Sequence, residues 1–301
     1  MLSYTHPPCR MFAALLKSSR PHQWVKNVFV AGPLIFARKI DDIPAVLHTC
    51  VAILGFCLLS SAVYLFNDIV DVEKDRSHPL KRLRPIASGQ LPIKIARLAA
   101  FALAFLGLLL TYSRGTLPLA ISALYLLQNL AYSFRLKHIP FVDVASIASG
   151  FLLRVLAGAA AIPVPPSFWL LGCTILLASF LGFGKRAHEL RVAGIKGSSQ
   201  RRVLDRYNPK VLRTLIHLLA VLTVIAYAGY TQSYHATSAF GTRRLILTLP
   251  FVAFGVHRFI GITQGKIDSE SPTDSMLRDV PFLIAMLGYA VSVVAILYTA
   301  W

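Results

Sequence analysis

The chain has 301 residues, 55% of them hydrophobic, and a formal net charge of +18. Apolar runs near the ~20 residues that a bilayer-spanning helix needs recur from end to end, which excludes a soluble domain of useful size. Nucleic acid, the usual partner of such a charge in a soluble chain, is therefore not expected; between membrane spans the charge speaks for cytoplasmic loops and anionic substrates.

In chain order, the first twenty residues hold only the short apolar run Met11 to Leu16. That is too brief for the core of a signal peptide, and a short basic helix on the membrane surface is expected instead. Nine spans are then predicted, at roughly 24–37, 43–66, 93–112, 117–134, 139–161, 167–184, 211–230, 243–261 and 280–300; the first is short and carries Pro33. Turns such as Ser113-Arg114-Gly115 and Pro163-Val164-Pro165-Pro166 separate antiparallel neighbours. The expected fold class is an all-α integral membrane protein. It would be one domain over 1–301, a bundle of about nine helices around a central cavity open to the cytoplasmic side.

Charge sets the orientation. With a cytoplasmic N-terminus, the outer loops carry only Arg38, Lys39, Arg114, Arg243 and Arg244, and Arg154 lies within a span. The remaining 25 of 31 basic residues then fall on the inner side, as the positive-inside rule favours. Trp24 at the inner boundary, with Trp169 and Trp301 at the outer one, would act as interfacial anchors. Of thirteen acidic residues only Asp41 and Asp42 are external. Charge of both signs thus gathers on one membrane face, as a site for metal and phosphate would require. Cys9, Cys50, Cys57 and Cys173 form no C-x-x-C pair and are expected to be small buried hydrophobes.

The second span runs into Asn67-Asp68-x-x-Asp71-x-x-x-Asp75. On a helix these spacings put Asp68, Asp71 and Asp75 on one face. They repel unless a cation intervenes, and Mg²⁺ is usually shared between a few carboxylates and substrate phosphates. Alternatively, they are a solvated helix end paired with Lys74 and Arg76. Lys81, Arg82 and Arg84 follow as a basic cluster suited to phosphate. Asp143 and Arg154 lie eleven residues apart, about three helical turns, and so share a face. An arginine inside a span faces a polar cavity or a partner.

The segment from Asn67 to Gly89, with Arg84, Pro85, Ser88 and Gly89 as its R-P-x-x-S-G tail, resembles the first aspartate-rich motif of the UbiA-type prenyltransferase superfamily. That resemblance implies a nine-helix fold with cytoplasmic loops over a central cavity, and Asp68, Asp71 and Asp75 as Mg²⁺ ligands. Prenyl-transferring members carry a second acidic motif after the sixth helix. Here that region has only Glu189 and Asp205 as acids among many bases, including Lys185, Arg186, Arg191, Arg201 and Arg202. Lys185, Arg186 and Glu189, directly after the sixth span, are assigned to function, whereas Arg201 and Arg202 fit phosphate and lipid headgroups equally well.

This departure resembles the decaprenyl-phosphate phosphoribosyltransferase branch. The likeness is carried by Arg20-Pro-x-Gln-Trp-x-Lys-Asn27, His78-Pro-x-Lys-Arg, Tyr132-Ser-x-x-Leu-Lys137, Asp143 to Gly158, and Gly184-Lys-Arg-Ala-x-Glu-Leu190. It implies transfer of 5-phosphoribosyl from phosphoribosyl pyrophosphate to a polyprenyl (decaprenyl-type) phosphate for cell-envelope sugar donors. Substrate-binding residues would be Lys26, Asn67, Lys81, Arg82, Arg84, Tyr132, Lys137, Asp143, Arg154, Lys185, Arg186 and Glu189. For Lys26, Tyr132 and Lys137 the competing role is interfacial anchoring. The expected setting is the inner (plasma) membrane with the site facing the cytoplasm, and a homo-oligomer is allowed for. Three rivals make other demands. A prenyltransferase acting on an aromatic acceptor calls for the missing second acidic motif. A transporter calls for ionisable groups across membrane depth, and a CDP-alcohol phosphotransferase for a glycine-containing acidic signature.

Overall fold

The computed structural model describes residues 8–79, 81–196, 204–265 and 272–299, all-helical apart from turns and connections. Arg201, Arg202 and Trp301, for which roles are expected above, lie outside the described residues. Among the described residues, eight helices are long and apolar enough to cross a membrane. The chain groups into two compact units. The first holds residues up to Leu34, Asp42–Lys137 and Leu153–Pro165; the second holds Ile35–Asp41, His138–Leu152 and residues from Pro166 onward.

The first unit contains α1 (Pro8–Ser19), a 3₁₀ helix (Pro21–Ala31), α3 (Ile43–Val70), α4 (Val72–Ser77), α5 (Ile93–Tyr112) and α6 (Thr116–Phe134), and α2 (Gly32–Phe36) begins in it. The 20 residues of α7 (Val142–Ala161) are divided, joining this unit from Leu153 onward. α3 starts where the Asp42 side chain accepts the Ala45 amide at 3.2 Å, a helix N-cap that satisfies one of the first free N–H groups. α3 packs on α1, the 3₁₀ helix, α5 and α6. Val30, Phe56, Leu59, Tyr125, Leu153 and Ala157 form its core. α5 approaches closely because Gly107 lacks a Cβ; one added there would meet the Leu59 side chain at 2.7 Å.

The expected first span at 24–37 is a 3₁₀ helix followed by the short α2, and it is not among those eight helices. It nevertheless runs antiparallel along α3: Arg20 meets Asp68, Trp24 meets Ser61, and Asn27 meets Cys57. At ~2 Å per 3₁₀ residue and ~1.5 Å per α residue, the run to Phe36 is about 30 Å long, near the thickness of the hydrocarbon core. Pro33 and buried Gln23 and Asn27 mark the segment. Trp24, expected as an interfacial anchor, donates its indole N–H to Ser61 Oγ at 3.0 Å.

α1 buries Ala14 and leaves Phe12, Leu16 and Lys17 exposed, the mixed surface a membrane-lying helix needs. A second core of Leu65, Val72, Ile86, Leu91, Ala96 and Ala100 pins the turn after α4. That turn closes through the Leu91 amide on the Pro85 carbonyl at 2.9 Å, with Gly89 at φ 82.

The second unit contains the first part of α7, α8 (Phe168–Lys196), α9 (Pro209–Gln232), α10 (Tyr234–Phe240), α11 (Leu249–Gln264), α12 (Pro272–Arg278) and α13 (Val280–Thr299). α8 pairs with α9, and α11 packs on α8, α9 and α13. Phe180, Leu204, Tyr207, Leu212, Ile216 and Phe259 form one core; Tyr227, Tyr230, Phe240, Leu245 and Leu297 form another. At α13 the Asp279 carboxylate accepts the Phe282 amide at 2.9 Å and pairs with Arg258 at 2.7 Å. The Arg258 guanidinium and that amide hold its carboxyl below the usual range. The expectation of buried cysteines is met by Cys57, whereas Cys173 is half-buried and Cys50 is exposed on α3, pointing away from the core.

Candidate active site

The acidic motif spans a helix break. α3 ends at Val70, Asp71 caps it with φ −93° and ψ 7°, and α4 starts at Val72. The hydrogen-bond ladder crosses the break, from the Asp71 amide to Asn67 O and from the Asp75 amide to Asp71 O, at 2.9 and 2.8 Å. The three carboxylates are consequently not equivalent. Asp68 and Asp75 are buried and share one guanidinium, with Arg84 Nη1 2.8 Å from Asp75 Oδ2 and 3.3 Å from Asp68 Oδ1. Asp71 is met by Lys137 Nζ at 2.8 Å to each oxygen.

Arg20, absent from the sequence-derived set, adds a fourth pairing. Its Nη2 lies 2.6 Å from Asp68 Oδ1, and the guanidinium sits over the Tyr64 ring at 5.1 Å. The backbone at Arg20 is left-handed, φ 51° and ψ 60°, which costs a non-glycine residue about 1–2 kcal/mol. Asn67 Oδ1 accepts the Ser133 hydroxyl. Lys81 and Arg82 lie on a 3₁₀ turn, Lys81–Leu83, with Arg82 exposed. Lys26 and Tyr132 are half-buried on the 3₁₀ helix and on α6.

Arg154, on α7 in the first unit, is buried. Its Nε donates to Asn27 Oδ1 at 2.8 Å and its Nη2 to Tyr125 OH at 2.9 Å, with the guanidinium 4.8 Å from the Tyr125 ring centre. Asn27 in turn donates to Cys57 Sγ at 3.2 Å.

A second charged group lies wholly within the second unit. Asp143 and Arg186 are both fully buried, with Arg186 Nε 3.0 Å from Asp143 Oδ2. Arg186 Nη1 donates to Glu189 Oε2 one turn along α8. Tyr207, also absent from the sequence-derived set, donates its hydroxyl to Asp143 Oδ1 at 2.6 Å and accepts the Phe141 amide at 2.7 Å. Burial and the hydrogen bond to Asp143 push its phenol well above the usual range. Lys185 is half-buried beside this group. Arg191 serves a structural end: its Nη1 donates to the Thr263 and Gly265 carbonyls at 2.8 and 3.1 Å, satisfying free carbonyls at the end of α11.

Among the described residues no three His, Cys, Asp or Glu side chains converge to hold a metal by themselves. The donors near Asp68 are nonetheless all oxygens, which suits Mg²⁺ when substrate phosphates complete its shell.

Eight apolar helices long enough to span a membrane, with an acid-rich helix end ringed by cations in the first unit, define a multi-pass membrane protein. The chain belongs to the UbiA prenyltransferase family, which it matches over residues 28–271. It is 35% identical over 298 residues to the decaprenyl-phosphate phosphoribosyltransferase of Corynebacterium glutamicum, covering 97% of this chain and 89% of that one. It is 34% identical to the enzyme of the same name from Mycobacterium tuberculosis, covering 96% of each. A UbiA homologue from Archaeoglobus fulgidus, solved with GPP and Mg²⁺ bound, superposes with a TM-score of 0.69 at 18% identity, over 94% of this chain and 99% of that one. At that identity the likeness carries the fold alone.

Proposed function

We propose that this transferase moves 5-phosphoribosyl from phosphoribosyl pyrophosphate to a polyprenyl phosphate of the decaprenyl type. Similarity to phosphoribosyltransferases along almost the whole chain carries the reading. The charge arrangement supports it. Asp68, Asp71 and Asp75 would hold Mg²⁺, which when bound would neutralise the leaving diphosphate. Arg20, Arg84 and Lys137, already at those carboxylates, bind and orient the diphosphate from the protein side. Arg186 and Lys185 take a donor phosphate, with Glu189 as the part of the buried group that water reaches. Arg154, with Lys26 and Tyr132, is assigned to the acceptor headgroup.

In the reaction the bond from the ribose anomeric carbon to the diphosphate oxygen breaks, and its electron pair leaves with pyrophosphate. A lipid phosphate oxygen supplies the pair for the new bond. That oxygen is already anionic at neutral pH, so the step requires no general base. Charge developing on the leaving group meets cations already in place, so little reorganisation is needed.

The test uses purified protein with labelled phosphoribosyl pyrophosphate and decaprenyl phosphate, and in parallel a prenyl diphosphate with 4-hydroxybenzoate. Phosphoribosyl transfer is expected, lost with EDTA and restored by Mg²⁺. Prenyl transfer without phosphoribosyl transfer would overturn the reading. Activity unaffected by EDTA would remove the metal from it.

A further inference from the structure

We propose that Tyr207 is a positioning residue for Arg186: its hydroxyl fixes the Asp143 carboxylate, which in turn fixes the guanidinium assigned to donor phosphate. The inference rests on the phosphoribosyl reading and adds a residue that no sequence motif marks.

The geometry is that of a pinned carboxylate. Asp143 Oδ1 accepts two donors, the Val144 amide at 2.9 Å and the Tyr207 hydroxyl at 2.6 Å, while Oδ2 faces Arg186 Nε at 3.0 Å. Two hydrogen bonds, both on Oδ1, hold the carboxylate in a buried place where losing either leaves an unmet acceptor. Oδ2 is thereby held against the guanidinium as a close ion pair, without an aligned hydrogen bond between them. Glu189 grips a second edge of the same group, so Arg186 is held from two sides.

Tyr207 is itself held. The Phe141 amide donates to its oxygen at 2.7 Å, from a backbone in the left-handed region at φ 66°. A non-glycine residue adopts that conformation when its surroundings enforce it, and here it aims the amide at the phenol. The ring lies 5.4 Å from the Phe141 ring and belongs to the core of Phe180, Leu212 and Phe259. The phenol stays protonated across the physiological range, as its raised pKa direction requires, so the hydroxyl remains a donor to Asp143. It also links residue 207 to the start of α7 through Phe141 and Asp143.

Tyr207→Phe removes one oxygen and leaves the ring in its core. In the full-length protein, binding of phosphoribosyl pyrophosphate with Mg²⁺ would be measured by calorimetry beside steady-state kinetics and thermal unfolding. Losing a hydrogen bond to a charged group is expected to raise Kd and KM for the ribosyl donor about tenfold or more, with KM for the polyprenyl phosphate unchanged. A purely structural role would instead lower the thermal midpoint and the active fraction, and leave donor KM alone. Because Tyr207 acts through Asp143, the double variant with Asp143→Asn should be no worse than Asp143→Asn by itself. Wild-type donor affinity in Tyr207→Phe, or a loss that adds in full to that of Asp143→Asn, would overturn the inference. Failure of wild type to bind or use phosphoribosyl pyrophosphate would instead overturn the phosphoribosyl reading, and the inference with it.

Discussion

Arg186 is fully enclosed, with Asp143 against one edge of its guanidinium and Glu189 against another. Removing one partner of a buried ion pair strands the other charge, at a cost of about 3–5 kcal/mol. Arg186→Ala is therefore expected to lose folded protein as well as activity, and its kinetics alone would not separate the two. Lys185, half-buried, supplies the cleaner experiment. Lys185→Ala should keep its thermal midpoint within a few degrees and lose about tenfold to a hundredfold in kcat/KM. Much of that loss should appear as a raised KM for the ribosyl donor, because the 5-phosphate is remote from the reacting carbon. Unchanged donor KM in folded Lys185→Ala would take this lysine out of the site. The sequence marks Lys185, Arg186 and Glu189 through their place after a span. It places Arg20 in a family-like segment without giving it a site role, and it does not mark Tyr207; their partners Asp68 and Asp143 lie 48 and 64 residues away. Pairing at that range leaves no local pattern.

Among the elements, hydropathy locates spans well and their ends poorly. α5 and α13 fall where the apolar runs place them, but α8 continues through Gly184-Lys185-Arg186-Ala187-His188-Glu189-Leu190 to Lys196. Polar residues end a hydrophobic run without ending a helix, since Lys, Arg and Glu are good helix formers. The 3₁₀ helix Pro21–Ala31 was hidden for a related reason: an apolar run does not distinguish an i→i+3 ladder from an i→i+4 one. Its packing yields an element-scale prediction. A Cβ on Gly158 of α7 would lie 1.9 Å from the Val30 carbonyl oxygen, which is backbone and cannot swing aside. Gly158→Ala should destabilise by about 3 kcal/mol, the upper part of the usual range for overpacking. It should also disturb the Arg154–Asn27 contact, one turn away on each element. Gly172 of α8 has open space around it, so Gly172→Ala should be neutral or gain about 0.5–1 kcal/mol through helix propensity. Thermal unfolding in detergent compares them, and equal midpoints for the two variants would refute the packing argument.

At the scale of the whole molecule, the positive-inside distribution and the antiparallel path of the N-terminal run make one joint prediction about topology. Arg20 sits at the Asp68 end of α3, and residues 20–27 run back along that helix toward its start. α1, just before Arg20, and the acidic motif therefore lie at the same end of α3. That end carries Lys17, Lys74, Arg76, Lys81, Arg82 and Arg84, whereas Asp41 and Asp42 precede the opposite end. Moving charged loops across a bilayer is opposed during insertion, and basic residues near span ends set the orientation. The Asp68 end is thus expected to face the cytoplasm, where a highly charged ribosyl donor can reach it without crossing the membrane. Single cysteines introduced in a cysteine-free background at exposed Ser77 and Lys210 should be labelled only from the cytoplasmic side, and those at Ser113 and Arg243 only from outside. Labelling of Ser77 from outside together with Ser113 from inside would reverse the orientation. It would put the acidic motif on the side away from any cytosolic donor, and the phosphoribosyl reading would then need an external source of activated ribose.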